Sequence, residues 1–169
     1  MRPLSFHVLA GTGDGRTRVE GTLPQLVREI PALLSCGLVP PRAIMNEVLR
    51  RGSWDAGMSG GCQWTPFEID DEEWDELASL LTTSDRQLAY VAPPSWVESF
   101  SDWHIWTMEH RHGVPASAHR ELVREYDQLA DAARQARASG DDEQALERHV
   151  EACQAGNRLA EFLMKYLRR

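Results

Sequence analysis

The strongest constraint in this sequence is a corner within residues 58–81, MSGGCQWTPFEIDDEEWDELASLL, where an extended segment over 63–69 leads into a helix. Asp70 lies three residues before Glu73, the spacing of a capping box, in which each side chain accepts a hydrogen bond from the other residue's backbone N–H. The apolar residues that follow recur every three or four positions and predict one buried helical face: Trp74, Leu77, Ala78 and Leu81. The sequence therefore predicts a strand-to-helix corner with the helix starting after Asp70.

Shorter elements surround this corner. Apolar residues alternate from Leu4 to Ala10, which predicts a strand with His7 on its outward side. The glycine-rich residues 11–15 predict a hairpin turn rather than a phosphate-binding loop, because the residues after them have the pattern of a returning strand and not of a helix. Caps and prolines predict helices and one short strand in four further ranges: helices over 22–30, 41–51 and 96–110, and a strand over 86–92.

The helix over 96–110 is predicted to begin at a capping box formed by Ser95 and Glu98. After it, residues 117–138 and 141–167 have helical spacing and are joined by Ser139-Gly140, which predicts an αα-hairpin.

The predicted fold class is α+β: a small antiparallel or mixed sheet with several helices, followed by a helical half that ends in the long αα-hairpin of residues 117–167. At 169 residues the chain is expected to form a single domain, with an α+β half over 1–92 and a helical half over 95–169.

The acidic residues are unevenly distributed. Net charge is −8, and residues 52–85 contain nine of the 26 acids and no Lys, Arg or His. A solvated helix face and the helix dipole account for some of these acids. An acidic excess without a neighbouring cation also repels nucleic acid and attracts basic protein surfaces. The predicted binding surface consists of six residues: Trp64, Asp70, Asp71, Glu72, Asp75 and Glu76.

The preferred interpretation is a non-catalytic protein-binding module of the inhibitor, immunity or adaptor type. Its acidic, Trp-containing surface is expected to bind a protein partner with a basic surface. Nucleic-acid binding is not expected, because Arg120 and Arg124 alternate with acids along their helix and no basic cluster is interleaved with aromatic residues. A third interpretation is a structural module that forms homo-oligomers through the C-terminal hairpin.

Cysteine content and hydropathy bear on the cellular setting. Three cysteines without a CxxC motif fit neither a disulfide framework nor a zinc site, so reduced thiols and a cytoplasmic location are expected. No apolar run approaches the roughly 18 residues that cross a bilayer, so no membrane association is expected. All basic residues except Lys165 are arginines, a bias associated with GC-rich bacterial genomes.

The alternative class is a small enzyme, either a hydrolase or a metal-dependent enzyme. Residues 57–61 match the G-x-S-x-G nucleophile elbow, but a helix precedes them and a strand follows, which is the reverse of the order that the elbow requires. A nucleophilic cysteine needs positive surroundings, and the segment around Cys62 contains no cation. The active site of such an enzyme is expected where the glycine loop meets the end of the 96–110 helix, with five candidate residues: Ser59, Cys62, Asp102, His110 and His112.

The histidines are the densest group of candidate metal ligands, together with Glu109: His104, His110, His112 and His119. No two of them lie four residues apart on a helix, the spacing that presents two imidazoles to one zinc ion. The single E-x-x-H motif is also too few for a carboxylate-bridged di-iron bundle, which needs two. No metal site and no cofactor are therefore expected, and no motif is specific enough to name a reaction.

Overall fold

The computed structural model describes residues 2–11, 15–34, 37–55, 60–83 and 88–167. Its elements follow one another in this order: β1 (Pro3–Leu9), β2 (Arg16–Thr22), α1 (Leu23–Arg28), α2 (Pro31–Leu34), α3 (Arg42–Leu49), β3 (Ser53–Asp55), β4 (Gly61–Trp64), α4 (Asp71–Thr82), α5 (Phe100–His112), α6 (Ala116–Ala138) and α7 (Asp142–Leu167). The predicted α+β class is confirmed, because an antiparallel sheet with several helices precedes two long C-terminal helices.

The sheet has the strand order β2-β1-β4-β3, and all neighbouring strands are antiparallel. β1 and β2 form the predicted hairpin, with Phe6 opposite Val19. Phe6 is buried and His7 is exposed, as the alternation predicted. β4 pairs with the other side of β1, where Cys62 lies opposite Val8. β1 is therefore an interior strand, and the short edge strand β3 is an element that the sequence reasoning missed.

One hydrophobic core lies against this sheet. Its buried members come from the sheet, from helices α1 to α4 and from the segments between them: Phe6, Leu23, Leu26, Val27, Ile30, Leu33, Val39, Met45, Val48, Leu49, Cys62, Trp64, Ile69, Leu77, Leu81 and Leu88. At the start of α1 the Thr22 backbone N–H donates to Gln25 Oε1 over 2.7 Å, which is one of the two hydrogen bonds of a capping box. Pro31 then begins the separate helix α2, which agrees with its predicted effect of ending α1.

The predicted strand over 63–69 is wrong beyond Trp64, where β4 ends. The Trp64 backbone N–H still donates to the Gly52 carbonyl over 2.8 Å, but residues 65–70 are irregular. Pro66 explains the change, because proline has no N–H to donate and is found in sheets only at edges and bulges.

The predicted strand over 86–92 is reduced to a single parallel bridge between Ala89 and Leu38, while residues 84–87 lie outside the described ranges. Two hydrogen bonds form it, from the Ala89 N–H to the Gly37 carbonyl and from the Val39 N–H to the Ala89 carbonyl. The ladder cannot continue on the partner side, because residues 40–41 are both prolines.

The predicted start of the 96–110 helix at Ser95 is also wrong, because α5 begins at Phe100. The Val97 N–H donates to the Pro94 carbonyl in a turn that precedes the helix. The capping box lies four residues further on: the Asp102 N–H donates to Ser99 Oγ over 3.1 Å, and the Ser99 N–H donates to Asp102 Oδ2 over 3.2 Å.

The αα-hairpin is confirmed, with α6 and α7 packed along each other. Asp141 caps α7, since its Oδ1 accepts from the Gln144 backbone N–H over 3.0 Å. The chain divides into two compact units, residues 1–104 and 105–169, with the division inside α5. Within the described residues, no helix is both long enough and apolar enough to span a membrane.

Candidate functional site

The candidate site is the solvent-facing side of α4, which carries most of the acids singled out from the sequence. We define the acidic face as Glu72, Asp75, Glu76 and Leu80, all of which are exposed. At 100° per residue these four positions fall on one side of a helix, whereas Leu77 and Leu81 point into the core.

The start of α4 is fixed by hydrogen bonds. Asp70 is its N-cap, and the Glu73 backbone N–H donates to Asp70 Oδ1 over 2.8 Å, which confirms the predicted cap. Just before it, the buried Asn46 of α3 holds the Ile69 backbone through two hydrogen bonds, of 2.8 and 2.9 Å. The Trp74 indole N–H donates to the Pro40 carbonyl over 3.2 Å. The acidic face is therefore presented by a rigidly anchored helix.

Arginines from other parts of the chain compensate several acids of this region, which corrects the expectation of an uncompensated acidic segment. Arg2 forms a bidentate pair with Glu73, with both N–O distances at 2.7 Å. Arg42 pairs with Asp71 over 2.7 Å, and Arg50 pairs with Glu68 over 3.3 Å. Exposed pairs of this kind contribute little to stability, about 0–1 kcal/mol each. Their main effect here is to reduce the local negative charge.

Within the part of the chain that the structure describes, Glu72 and Asp75 make no hydrogen bond or ion pair through their side chains. Both side chains are exposed. Leu80 lies beside them with 45% of its surface exposed. The acidic face thus combines two carboxylates that have no partner among the described residues with an exposed apolar side chain.

Trp64, which the sequence placed on the binding surface, is not part of this face. Trp64 is only 7% exposed and donates its indole N–H to the Leu49 carbonyl over 2.8 Å, so it is a core residue and its place in the predicted binding surface is corrected. Trp74 and Tyr90 make an edge-to-face contact with ring centroids 5.5 Å apart. Tyr90 is 48% exposed and is the accessible aromatic residue next to α4.

The candidate catalytic residues have structural roles where the structure describes them. Asp102 belongs to the capping box of α5, and Ser59 lies outside the described residues. His110 is exposed and stacks on Trp106, with ring centroids 5.1 Å apart. His112 is the last residue of α5. Asp102 lies in the first compact unit, and both histidines lie in the second.

Cys62 is fully buried in the core of the first unit. Its thiol lies 3.9 Å from the Glu29 carbonyl oxygen. Burial, and secondarily the negative charge of Glu29, raise the pKa of the Cys62 thiol from 9.0 to about 11. A nucleophilic cysteine needs the opposite shift. Cys62 is therefore an apolar filler of β4, as its cation-free surroundings indicated.

Burial also affects the histidines, since it lowers the pKa of His104. His119 is fully buried. Among the described residues, no three His, Cys, Asp or Glu side chains are grouped as ligands of one metal ion.

We expect the buried Cys62 to be unreactive until the protein unfolds. In the folded protein at neutral pH, iodoacetamide should leave Cys62 intact, and after denaturation it should modify it. Peptide mass mapping before and after denaturation measures the difference in alkylation of Cys62. Rapid modification of Cys62 in the folded state would contradict its assignment as a core residue and revive the enzyme interpretation.

The raised pKa of Cys62 also predicts how stability depends on pH. Because the unfolded thiol ionises near pH 9 and the folded one near pH 11, the free energy of unfolding should fall as the pH rises between these values.

No protein-family model, curated protein or solved structure matches this chain.

Sequence reasoning missed Leu80 and Tyr90. Leu80 could have been predicted as an exposed residue from the sequence. It does not lie on the helix side formed by Trp74, Leu77 and Leu81, so it must face away from the core. Tyr90 could not, because its position beside Trp74 depends on how the segment after α4 folds back.

Proposed function

We propose that the protein is a non-catalytic binding module whose acidic face docks on a basic surface of another protein. The observation that carries this proposal is the contrast within α4. Asp70, Asp71 and Glu73 are used by the cap or by arginines of the same chain, whereas Glu72 and Asp75 are left solvated.

Among the described residues, neither of these two carboxylates caps a helix or pairs with a cation. Glu72 lies in the first turn of α4, where the helix dipole favours it, but Asp75 lies beyond that turn. Two carboxylates three residues apart on one helix face repel each other, by a few tenths of a kcal/mol. A partner that supplies arginine or lysine removes this repulsion and gains charge-assisted hydrogen bonds.

Leu80 makes the face suited to a protein rather than to a small cation. Protein interfaces combine a central apolar contact with a polar rim. Leu80 provides apolar contact area, and the acids provide orientation and rapid encounter. An inhibitor, an immunity protein or an adaptor would use such a surface.

The charges of the face are tested by neutralising Glu72 and Asp75 together, as E72Q/D75N. The wild-type chain, immobilised in a lysate of its source organism, is used to capture the partner, and association is then measured with the purified partner at two ionic strengths. We expect the variant to associate roughly 3- to 10-fold more slowly at low salt and to depend less on salt, because exposed charges act mainly on the association rate. The stability of the isolated variant should be equal or slightly higher.

A matched control removes two exposed acids from the second unit, as E121Q/E143Q, and changes the net charge by the same amount. This control should bind like the wild type. If E72Q/D75N shows the wild-type association rate and salt slope, the acidic face is only a solvated surface and the proposal is wrong.

A further inference from the structure

A second, independent surface lies on α7. This helix packs along α6, and its buried residues are Ala145, Ala152 and Ala155. A different side of α7 carries a continuous row of exposed residues, which we call the seam: Leu146, Val150, Cys153, Asn157, Ala160, Met164 and Leu167. The four largest apolar side chains of the seam are 40–65% exposed.

The spacing along the seam alternates strictly between four and three residues from Leu146 to Leu167. This is the heptad spacing of a coiled-coil contact, with Leu146 and Leu167 at d positions and Val150 and Met164 at a positions. The seam spans 22 residues, or roughly 33 Å of helix. The buried alanines fall at c and f positions of the same repeat, so α7 has two separate packing sides.

We propose that the seam is the interface of a homodimer in which the α7 helices of two copies pack antiparallel. The pattern is self-complementary about Asn157, as a two-fold interface requires. Leu146 then lies opposite Leu167 of the second copy, and Val150 opposite Met164. Asn157 meets its own counterpart near the two-fold axis, and a single polar residue of this kind fixes register in coiled coils.

The small residues of the seam fit the same arrangement. Cys153 lies opposite Ala160 of the second copy, on either side of the Asn157 pair, so the two helices can approach closely at the centre. A surface depression of about 580 Å³ is lined by Asn157, Ala160, Glu161, Met164 and Lys165. In the antiparallel pair it lies opposite Val150 of the second copy and can receive that side chain.

Charge selects the antiparallel orientation over the parallel one. In a parallel pair Asp142, at a g position, would face Glu147 of the second copy, at an e position. Two-fold symmetry would create this repulsive contact between carboxylates twice in the dimer. In the antiparallel pair Asp142 and Glu147 of one copy lie at the opposite end from those of the second copy, so this repulsion is absent. Antiparallel helix dipoles also attract each other.

The first test is oligomeric state, measured on the full chain by sedimentation equilibrium over a wide range of concentrations. We expect the wild type to be a dimer and V150E/M164E to be monomeric. The dimer dissociation constant of V150E/M164E should be roughly 100-fold or more above that of the wild type, because apolar contacts are replaced by buried charge. The matched control Q128E/Q144E adds the same charge at exposed positions away from the seam and should remain dimeric. Unchanged far-UV circular dichroism verifies that V150E/M164E still folds.

The second test is orientation, measured by oxidative cross-linking and mass mapping. The variant A160C should form a disulfide between position 160 and Cys153 of the second copy, whereas the wild type should form none between two Cys153 residues. A Cys153–Cys153 disulfide would overturn the antiparallel arrangement. A wild type that is monomeric throughout would overturn the dimer, and a dimeric V150E/M164E would overturn the seam as its interface.

Discussion

Replacing Gly60 with alanine is expected to lower the free energy of unfolding by about 3 kcal/mol or more. Gly60 has a φ of 102°, in a region that residues with side chains rarely adopt. A Cβ at this position would lie 2.3 Å from the Leu9 carbonyl oxygen and 3.2 Å from the Gly11 nitrogen. Both atoms belong to the backbone at the end of β1, which also pairs with β2 and β4. The collision therefore cannot be relieved by a change of rotamer.

A control separates the collision from the positive φ alone. Gly140, between α6 and α7, has a φ of 81°, and a Cβ there would meet no atom within 4 Å. The substitution G140A should therefore cost only the backbone strain, about 1 kcal/mol. Urea denaturation of both variants measures the two costs. Equal losses would show that the approach of Gly60 to Leu9 is unimportant.

This result would also give one residue of the glycine loop a structural explanation. The loop resembles a nucleophile elbow in its letters, and Ser59 lies within it. Gly60 occupies a variable position of the G-x-S-x-G pattern, so its contact with β1 accounts for one glycine of the loop and leaves the pattern itself unexplained.

The features predicted best from the sequence have both partners within three residues of each other. Asp70 with Glu73 is such a local pair, and its geometry depends only on the helix that it begins. The hairpin of β1 and β2 is equally local, because a short turn fixes its register. Such signals do not depend on the rest of the fold.

Local signals fail where two of them compete. Ser95 with Glu98 and Ser99 with Asp102 are both three residues apart, and either could begin α5. Tertiary contacts select the second pair, since Arg51 lies over the ring of Phe100, the first residue of the helix. Nothing within residues 95–102 indicates this choice.

The charge of the candidate site was mispredicted for a similar reason. The count of acids in residues 52–85 is correct, but potential depends on distance in space. Arg2 lies 71 residues from Glu73 in sequence and contacts it directly. Trp64 was likewise predicted to be part of the binding surface. Only the fold shows that it is buried and that its indole N–H donates to the Leu49 carbonyl.

The second large effect is expected for the replacement of Asn46 by alanine, which should cost about 3 kcal/mol. Asn46 is only 4% exposed and uses both ends of its amide on one residue. Its Nδ2 donates to the Ile69 carbonyl over 2.9 Å, and its Oδ1 accepts from the Ile69 N–H over 2.8 Å. Alanine would leave the Ile69 N–H buried without its partner and the Ile69 carbonyl with only the long contact from Arg42 Nη1 at 3.5 Å, and each unsatisfied buried group costs about 1–3 kcal/mol.

The loss should also reach the acidic face, because Ile69 immediately precedes the Asp70 cap. In N46A we expect faster hydrogen exchange at the backbone amides of Ile69 and Glu73 than in the wild type, beyond the change that follows from lower global stability. The substitution Q154A, at an exposed polar residue of α7, serves as the control and should change stability by less than about 0.5 kcal/mol. If N46A unfolds at the wild-type urea concentration, Asn46 does not anchor the corner, and the acidic face is held by the Asp70 cap and the Trp74 contacts alone.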